Sequence, residues 1–434
     1  MKAFPKYDRY KDSGVEWLGQ VPEHWEVRRN LGIFDERKEA NQPDAELLSV
    51  TQDRGIIRQA EITAKKDSSN DDKSKYKVVK VGDIAYNKMR AWQGAIGVSP
   101  YNGIVSPAYI VLTPRNGKLS KFFHYLFRTP TFITEANRLS YGLCDDMNSL
   151  RYEHFKTSYS PLPPDDDIDR IVAFLDEKTG EIDALIAKKQ RQIELLDEQK
   201  AILINRAVTR GLNPDVPLKD SGVPWIGQIP EHWEVKKLKY LINIQAGYAF
   251  ASGSYSSKCT DTRLLRGINV NPGQITWDEV VYWPNQQMRG FEEFTLQEDD
   301  MVMGMDRPWV SAGVRVARVK RADLPCLLLQ RVARIRGIKI ESDFLERVLT
   351  GHGYKAYFEP ILTGVSVPHI SPDQIAGYTA AIPPREEQRV ICAYINQLEG
   401  LCIKARASEQ AQIQALQTLR STLIAHAVTG KINV

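Results

Sequence analysis

Two long stretches of the chain carry apolar residues at helical spacing. One begins after Pro163-Pro164 and the other after Pro383-Pro384, and each proline pair would set the start of a helix. In the first stretch the apolar or small positions recur from Ile171 to Ala207 in alternating steps of three and four residues, interrupted at three lysines, Lys178, Lys189 and Lys200. Such steps give a period of about 3.5 residues, which predicts the seam of a coiled coil.

The seam residues predicted to form the helix–helix or subunit interface are apolar in both stretches. They are Ile171, Leu175, Ile182, Leu185, Ile193, Leu196 and Leu203 in the first, and Ile391, Ile395, Leu398, Ile413, Leu416 and Leu423 in the second. About 40 residues at a rise of about 1.5 Å give a helix of roughly 60 Å. A helix of this length with an apolar seam needs a partner, so we expect the two helices to pair antiparallel.

The chain contains two copies of one plan. Residues 11–27 (KDSGVEWLGQVPEHWEV) and 219–235 (KDSGVPWIGQIPEHWEV) are identical at 14 of 17 positions. The segments 162–211 and 382–434 match at another fixed offset, from the double proline to Ala-Val-Thr near the end of each helix. A match of this length indicates a tandem duplication.

The duplication predicts an α+β fold with two similar globular domains, each followed by a long helix, and pseudo-two-fold symmetry of the helix pair. The predicted segments are a leading segment (1–27), a globular region (28–160), a central helix (161–211), a linker with the second leading segment (212–235), a second globular region (236–381) and a C-terminal helix (382–434). The two Trp residues of each leading segment are interpreted as core anchors.

The globular regions mix strand and helix patterns. Residues 75–89 and 103–114 are strand-like, and 118–140 has helical spacing that Pro130 interrupts. The hexapeptide that begins at Arg90 (RAWQGA) is echoed by the one that begins at Arg307 (RPWVSA), each after a similar strand. The polar run 65–77 is interpreted as a surface loop.

Composition is typical of a protein with buried cores and no membrane span. Hydrophobic residues make up 42% of the chain, and no apolar run approaches the roughly 20 residues that a membrane helix requires. The five cysteines, Cys144 among them, share no CxxC spacing. Reduced structural thiols and a cytoplasmic location are therefore expected.

The globular regions are the basic parts of the chain. Residues 28–160 carry 21 Lys and Arg against 15 Asp and Glu, and residues 236–381 carry 18 against 15. The first helix, 165–211, is acidic, with 8 against 11. A basic excess suits contact with phosphate groups, although many mildly basic domains bind no nucleic acid.

Candidate DNA-contacting residues come from the echoed turns and from polar positions near them. They are Arg90, Trp92, Gln93, Asn87, Lys88 and Arg54 in the first region, and Arg307, Trp309, Arg266 and Asn269 in the second. Arg can pair with guanine through two hydrogen bonds, and Gln or Asn with adenine. The alternatives are that the Trp residues belong to the core and that the Arg residues support structure or contact phosphate.

Sequence motifs of catalysis are missing. The chain has no GxGxxG turn and no phosphate-binding P-loop. Asp165 and Asp176 would lie about 16 Å apart along a helix, too far to share a metal ion. No nucleophile or metal-ligand set accompanies His24 or His232. We therefore predict neither a catalytic nor a metal site in this chain.

The chain resembles the specificity (S) subunits of type I restriction–modification systems over essentially its whole length. The resemblance is carried by the two leading segments, by the helix starts PLPPDDDIDRIVAFLDEKTGEIDALI and AIPPREEQRVICAYI, and by YNKMRAWQGAIGVSP, GIVSPAYIVL and TGVSVPHISPDQI. The family's helix start is a proline pair followed by Glu-Gln. Glu387-Gln388 keeps that pattern and Asp167-Ile168 departs from it.

The resemblance implies a non-catalytic subunit that recognises an asymmetric, bipartite target in double-stranded DNA, one half-site per target-recognition domain. It implies two adenine-N6 methyltransferase (M) subunits docked on the helices, and restriction (R) subunits that join through M, in defence against foreign DNA. No cofactor is expected in this chain, because S-adenosylmethionine would be bound by M, and ATP and Mg by R. The other interpretation is a coiled-coil scaffold whose two end domains bind proteins.

Overall fold

A computed structural model of the chain describes residues 4–52, 54–62, 72–142, 148–362 and 368–434. Most of the predicted loop 65–77, and Cys144, lie outside the described residues. The chain divides into two compact units: unit 1 comprises residues 1–191 and 408–434, and unit 2 comprises residues 192–407. Both divisions fall within the long helices, so each unit contains part of each helix.

The described residues of unit 1 form short strands, three short α-helices and parts of the two long helices. Its strands are β1 (Tyr10–Asp12), β2 (Gln20–Pro22), β3 (Glu26–Arg29), β4 (Phe34–Glu36), β5 (Leu48–Thr51), β6 (Gly55–Arg58), β7 (Lys77–Val79), β8 (Ile84–Asn87), β9 (Ile96–Val98), β10 (Gly103–Val105), β11 (Tyr109–Pro114) and β12 (Tyr159–Leu162). Its helices are α1 (Leu119–Leu126), α2 (Pro130–Arg138), α3 (Tyr152–Phe155) and the first part of α4 (Asp165–Arg210). Pro130 begins α2, where its missing N–H costs nothing.

Unit 2 repeats this plan and adds strands. Its strands are β13 (Leu218–Asp220), β14 (Gln228–Pro230), β15 (Glu234–Lys237), β16 (Ile242–Ala246), β17 (Thr262–Leu265), β18 (Val270–Asn271), β19 (Gln274–Ile275), β20 (Tyr282–Trp283), β21 (Met301–Gly304), β22 (Trp309–Val310), β23 (Gly313–Val314), β24 (Val316–Arg318), β25 (Cys326–Leu328), β26 (Val332–Gly337) and β27 (Thr379–Ile382). Its helices are α5 (Ser342–Thr350), α6 (His352–Leu362), α7 (Pro372–Gly377) and the first part of α8 (Arg385–Val428).

Each unit is centred on a four-stranded antiparallel sheet. The strand order is β4-β11-β8-β9 in unit 1 and β16-β26-β21-β24 in unit 2. In both units the strand after the leading segment pairs with the strand before the double proline, β3 with β12 and β15 with β27. The predicted α+β fold with two similar domains is therefore confirmed. Unit 2 also contains a three-stranded sheet, β20-β17-β25.

The long helices start where the double prolines predict, α4 at Asp165 and α8 at Arg385. Each ends before a glycine with a left-handed backbone, Gly211 and Gly430, both at φ 71°. The end of each helix packs on the leading segment of the other repeat copy. Ala427 and Val428 share a core with Trp25, whereas Ala207 and Val208 share a core with Trp233.

Within each unit, α4 and α8 pair antiparallel. In unit 1, Arg420 forms an ion pair with Asp183 at 2.9 Å and Lys189 one with Glu409 at 3.0 Å. In unit 2, Arg406 pairs with Asp197 at 3.3 Å. The residue numbers of the ion-pair partners increase along α4 as they decrease along α8, which is the predicted antiparallel arrangement. Lys189, which interrupts the apolar stripe in the sequence, is accommodated at the helix interface by the carboxylate of Glu409.

The seam shifts by one residue at two predicted positions. Leu185 is 47% exposed and Leu203 is 36% exposed, and Ile186 and Ile204 pack against the cores in their place. Leu185 and Leu203 therefore lie outside the helix–helix contact of this chain, and their place in a subunit interface stays a prediction. A straight α-helix has 3.6 residues per turn, so its buried face drifts away from a 3.5-residue repeat.

The other predicted seam residues are buried or partly buried. Those buried are Ile171, Leu175, Ile182, Ile391, Ile395, Ile413 and Leu423, and those partly buried are Ile193, Leu196, Leu398 and Leu416.

Asp167 stands where the family pattern has Glu, and it makes the same contact that Glu387 makes in the second copy. Glu387 Oε2 accepts hydrogen bonds from His232 Nε2 at 2.8 Å and from Trp233 Nε1 at 3.1 Å. Asp167 Oδ2 accepts from the equivalent His24 at 2.7 Å and Trp25 at 2.8 Å. The two duplicated histidines therefore orient a carboxylate on the first helical turn.

The residue after this carboxylate differs in kind between the copies. Gln388 is buried, donates to the Pro383 carbonyl at 2.8 Å and accepts from the Glu341 amide at 2.9 Å. Ile168 fills the equivalent place in the core of unit 1. The first copy thus replaces a buried hydrogen-bonded amide by apolar packing.

Asp167 should contribute stability that is lost in acid. Burial acts to raise the pKa of Asp167, but hydrogen bonds from His24, Trp25 and Arg170 outweigh it, so the pKa lies below its ordinary value of 3.8. A carboxyl group with a lowered folded pKa stabilises fully above its unfolded pKa, and this contribution disappears as the pH falls through the folded pKa. In urea unfolding between pH 7 and pH 2.5, Asp167→Asn should lose stability at pH 7 and converge on the parent protein in acid. A constant difference across this range would contradict the assignment.

In the described part of the chain, no helix is long and apolar enough to cross a membrane.

Candidate nucleic-acid interface

In unit 1 the turn after β8 presents two of the predicted side chains. Arg90 is exposed and, among the described residues, has no side-chain hydrogen bond or ion pair. The half-buried Trp92 donates from its indole N–H to the Met89 carbonyl at 2.9 Å, and Gly94 closes the turn at φ 89°. Trp92 therefore folds the turn, and Arg90 and Gln93 remain accessible on it.

A second turn joins this surface. Gln52, which follows β5, donates from Nε2 to Gln93 Oε1 at 2.8 Å. Arg54, two residues on, is half-exposed, and its guanidinium lies 3.8 Å from the Glu61 carboxylate. Arg54, predicted from sequence without regard to Gln93, thus lies on the turn that contacts Gln93.

A third segment lies beside the turn that follows β8. The Leu150 amide donates to the Lys88 carbonyl at 2.9 Å, and the next residue, Arg151, is exposed. Lys88, Arg151 and Tyr152 line an open cleft. Asn87 has a local role, since its side-chain oxygen accepts from the Met89 amide at 3.0 Å.

In unit 2 the equivalent strand, β21, leads to Arg307. Arg307 is exposed at φ 45°, and its amide donates to the Pro368 carbonyl at 2.7 Å. The Ile370 amide donates to the Met305 carbonyl at 3.0 Å, which repeats the contact of Leu150 with Lys88. Trp309 begins β22 and is half-buried against the core of unit 2. The two echoed arginines therefore occupy equivalent places in the two sheets.

Arg315 braces the turn that carries Arg307. Its guanidinium donates to the carbonyls of Val270 and Asp306, each at 2.9 Å, and also to the carbonyl of Gly267. Burial is the main cause that lowers the pKa of Arg315 below its ordinary value, and the charge of Arg307 acts in the same direction. Three backbone acceptors thus satisfy the partly buried guanidinium.

The structure assigns Asn269 and Arg266 to the scaffold rather than to the exposed surface. Asn269 is 2% exposed, and its amide donates to the carbonyls of Thr276 and Glu279 at 3.0 Å. Arg266 donates to the Glu279 carbonyl at 3.0 Å and pairs with its carboxylate at 3.3 Å. Both side chains stabilise the loop around β18 and β19, so we remove them from the candidate surface.

Comparison with known proteins gives one consistent group. No protein-family model matches the chain. The chain is 29% identical over 283 residues to the MjaVIII type I restriction enzyme specificity subunit of Methanocaldococcus jannaschii, covering 64% of this chain and 63% of the relative. It is 31% identical over 238 residues to the EcoAI specificity subunit of Escherichia coli, covering 54% of this chain and 40% of the relative. The chain thus spans less than two thirds of either of these relatives.

A third relative is matched end to end. The putative MjaX specificity subunit of M. jannaschii is 23% identical over 99% of this chain and 98% of its own length. The curated relatives to which the chain is similar are thus specificity subunits of type I restriction enzymes.

Two solved structures share the fold of this chain. A chain from a type I R-M system, studied for its complex assembly and conformational transition, superposes with a TM-score of 0.68 over 94% of this chain and 98% of its own, at 16% identity. The HsdS subunit of Thermoanaerobacter tengcongensis gives 0.54 over 94% of this chain and 98% of its own, at 18% identity. At these identities the likeness concerns the fold.

Sequence reasoning missed two side chains that contact Asp306, those of Arg331 and His369. Arg331, 58% exposed, lies 3.5 Å from the Asp306 carboxylate, and His369 Nδ1 lies 2.6 Å from the same group. Arg331 has φ 68° and Arg307 has φ 45°. A left-handed backbone conformation at a non-glycine residue costs about 1–3 kcal/mol, and residues in this conformation are found preferentially at functional sites. No local sequence signal marks this group of side chains, because Asp306, Arg331 and His369 come from three distant segments of the chain.

Proposed function

We propose that this chain is the DNA-specificity subunit of a type I restriction–modification complex and that each unit recognises one half of a bipartite target. The observation that carries the proposal is the pair of equivalent, exposed arginines, Arg90 and Arg307, on diverged scaffolds of one duplicated fold. Cationic and amide side chains of this kind read base edges in the major groove. Because the surrounding side chains differ, the two half-sites are expected to differ.

The chain itself carries out no reaction under this proposal. Methylation of adenine would belong to two methyltransferase subunits that bind S-adenosylmethionine, and restriction to subunits that use ATP and Mg and join through the methyltransferases. The described residues include no group of three or more His, Cys, Asp or Glu side chains placed to hold a metal ion. Support for the division of labour comes from the relatives, which are specificity subunits.

The long helices offer a surface for the methyltransferases. In unit 2 several large apolar side chains of α4 and α8 are exposed: Leu195, Ile202, Val390, Leu401 and Ile403. Leu195 and Ile202 are seven residues apart on one helix and so lie on the same face. Exposed apolar residues grouped on helices are typical of protein–protein contacts. We therefore place the methyltransferase contact on these helices.

A methylation map tests the proposal. The chain is expressed with the methyltransferase subunit of its own operon in a host without other methylation, and N6-methyladenine is mapped across the genome. The expected result is one motif of two unlike half-sites with a fixed gap and one methylated adenine in each half. Absence of new methylation, with both proteins folded and associated, would favour a scaffold whose end domains bind proteins.

A further inference from the structure

Unit 1 contains a cavity of about 260 Å³ that shares Arg54 with the candidate DNA-contacting surface but is lined by neither Arg90 nor Gln93. It is bounded by the turn between β5 and β6, by α1 and the connection to α2, and by the last part of α8. Each of these elements contributes one arginine to the lining: Arg54, Arg128 and Arg420. Among the described lining residues there is no Asp or Glu.

The arginines are held in place by contacts made outside the cavity. Arg128 donates to the carbonyls of Ile96 at 3.0 Å and Gln52 at 2.9 Å. Arg420 pairs with Asp183 on α4 at 2.9 Å. Arg54 is 3.8 Å from the Glu61 carboxylate. The guanidinium groups of Arg128 and Arg420 are therefore pre-organised, and ordering these two for a ligand costs little further entropy.

His124 adds a neutral donor to the lining. Its Nδ1 accepts a hydrogen bond from the Val98 amide at 3.2 Å, so the ring proton lies on Nε2. Burial, together with the charges of Arg128 and Arg420, lowers the pKa of His124 to about 4. The imidazole is thus neutral near pH 7, chiefly because it is buried and in lesser part because two arginines lie near it. Ser421 contributes a hydroxyl at the rim.

We infer that this cavity is a binding site for a phosphoryl group. Guanidinium groups match phosphate oxygens through paired hydrogen bonds, and three of them approach the space from different elements. The volume is several times the roughly 30 Å³ that one water occupies in the liquid, so a phosphoryl group fits. A bound phosphate would connect the Gln52–Arg54 turn to α8.

The phosphoryl group has two possible sources, a free phosphate or the DNA backbone next to the half-site, and the second rests on the proposed function. The full-length chain is titrated with inorganic phosphate at constant ionic strength while its melting temperature is followed. In parallel, the complex with its methyltransferase binds target DNA over a range of salt concentrations. Arg54→Gln and Arg420→Gln are compared with the parent protein.

The matched control is Asp183→Asn. It breaks the same ion pair as Arg420→Gln but leaves the cation in the cavity, so phosphate affinity should fall by much less than in Arg420→Gln. Arg420→Lys keeps the charge and should restore part of the binding. If both arginine variants lose at least tenfold in phosphate affinity, with an unchanged salt dependence of DNA binding, the ligand is free phosphate. If the slope of log K against log salt falls by about one in both, the ligand is a backbone phosphate.

The inference is overturned if neither the phosphate response nor the salt slope changes in Arg54→Gln and Arg420→Gln, or if Asp183→Asn loses phosphate binding equally. Arg54 lies on an exposed turn, so its variant is informative even if Arg420→Gln does not fold. Failure of the parent complex to bind DNA would contradict the proposed function alone, because the phosphate titration still decides the cavity.

Discussion

Replacing Arg90 by alanine is expected to relax or weaken recognition of one half-site and to leave the other unchanged. Arg90 is exposed on the turn after β8 and has no side-chain partner among the described residues. Its guanidinium is therefore free to bond with a base edge, and a bidentate contact of Arg with guanine contributes about 1–3 kcal/mol of discrimination. Genome-wide N6-methyladenine mapping measures the change directly as a degenerate position in the motif.

Two further variants test whether the effect of Arg90→Ala is specific to one half-site. Arg307→Ala should alter the other half-site, since Arg307 occupies the equivalent place in unit 2. Arg115→Ala removes an exposed arginine that pairs with Asp35 at 3.0 Å in unit 1, and it should leave both half-sites intact. If Arg90→Ala changes both half-sites equally, or neither, the role assigned to Arg90 is wrong.

Replacing Trp25 by alanine should destabilise unit 1 by about 3–5 kcal/mol, the usual loss for a buried Trp. The Trp25 side chain is 0% exposed, packs edge-on against Phe122 at a centroid distance of 6.4 Å and donates to Asp167 at 2.8 Å. It also contacts the end of α8, where a Cβ on Gly430 would lie 3.2 Å from the ring. Loss of the indole removes the surface against which the end of α8 packs. Urea unfolding and limited proteolysis of the C-terminal segment measure both effects.

His24→Ala is the matched control for Trp25→Ala. His24 also donates to Asp167, at 2.7 Å, but its side chain is 49% exposed. Its removal leaves little cavity and should cost less than about 1 kcal/mol. Comparable losses in the two variants would mean that the hydrogen bond to Asp167, rather than burial of the indole, stabilises this junction.

The candidate site was predictable where its signal is local. The echoed hexapeptides placed Arg90 and Arg307 after equivalent strands, because each turn folds within a few residues of its own strand. Asn269 shows the limit of that reasoning. Its two carbonyl partners, Thr276 and Glu279, come within reach only when the β18–β19 hairpin forms. Sequence alone therefore could not separate this buried Asn from an exposed one.

Arg331 and His369 are the opposite case, since no feature of the sequence indicated that they belong to the candidate site. They meet at Asp306 from segments 25 and 63 residues away, so no spacing in the sequence connects them. The left-handed backbone of Arg331 is likewise set by the loop around it. For an arginine this conformation has no sequence signature comparable to the glycines at 211 and 430.

By itself, the sequence determined the duplication, the start of both long helices after the double prolines and their antiparallel pairing. These features rest on repeated residues, on proline geometry and on apolar periodicity, all of which act along the chain. The tertiary structure alone decided which leading segment each helix end contacts, because Ala-Val-Thr ends both helices and would fit either copy. It also decided that Asp167 takes the role of Glu387 and that Ile186 and Ile204 enter the seam. Those outcomes depend on side-chain reach and on helix twist across contacts between distant residues.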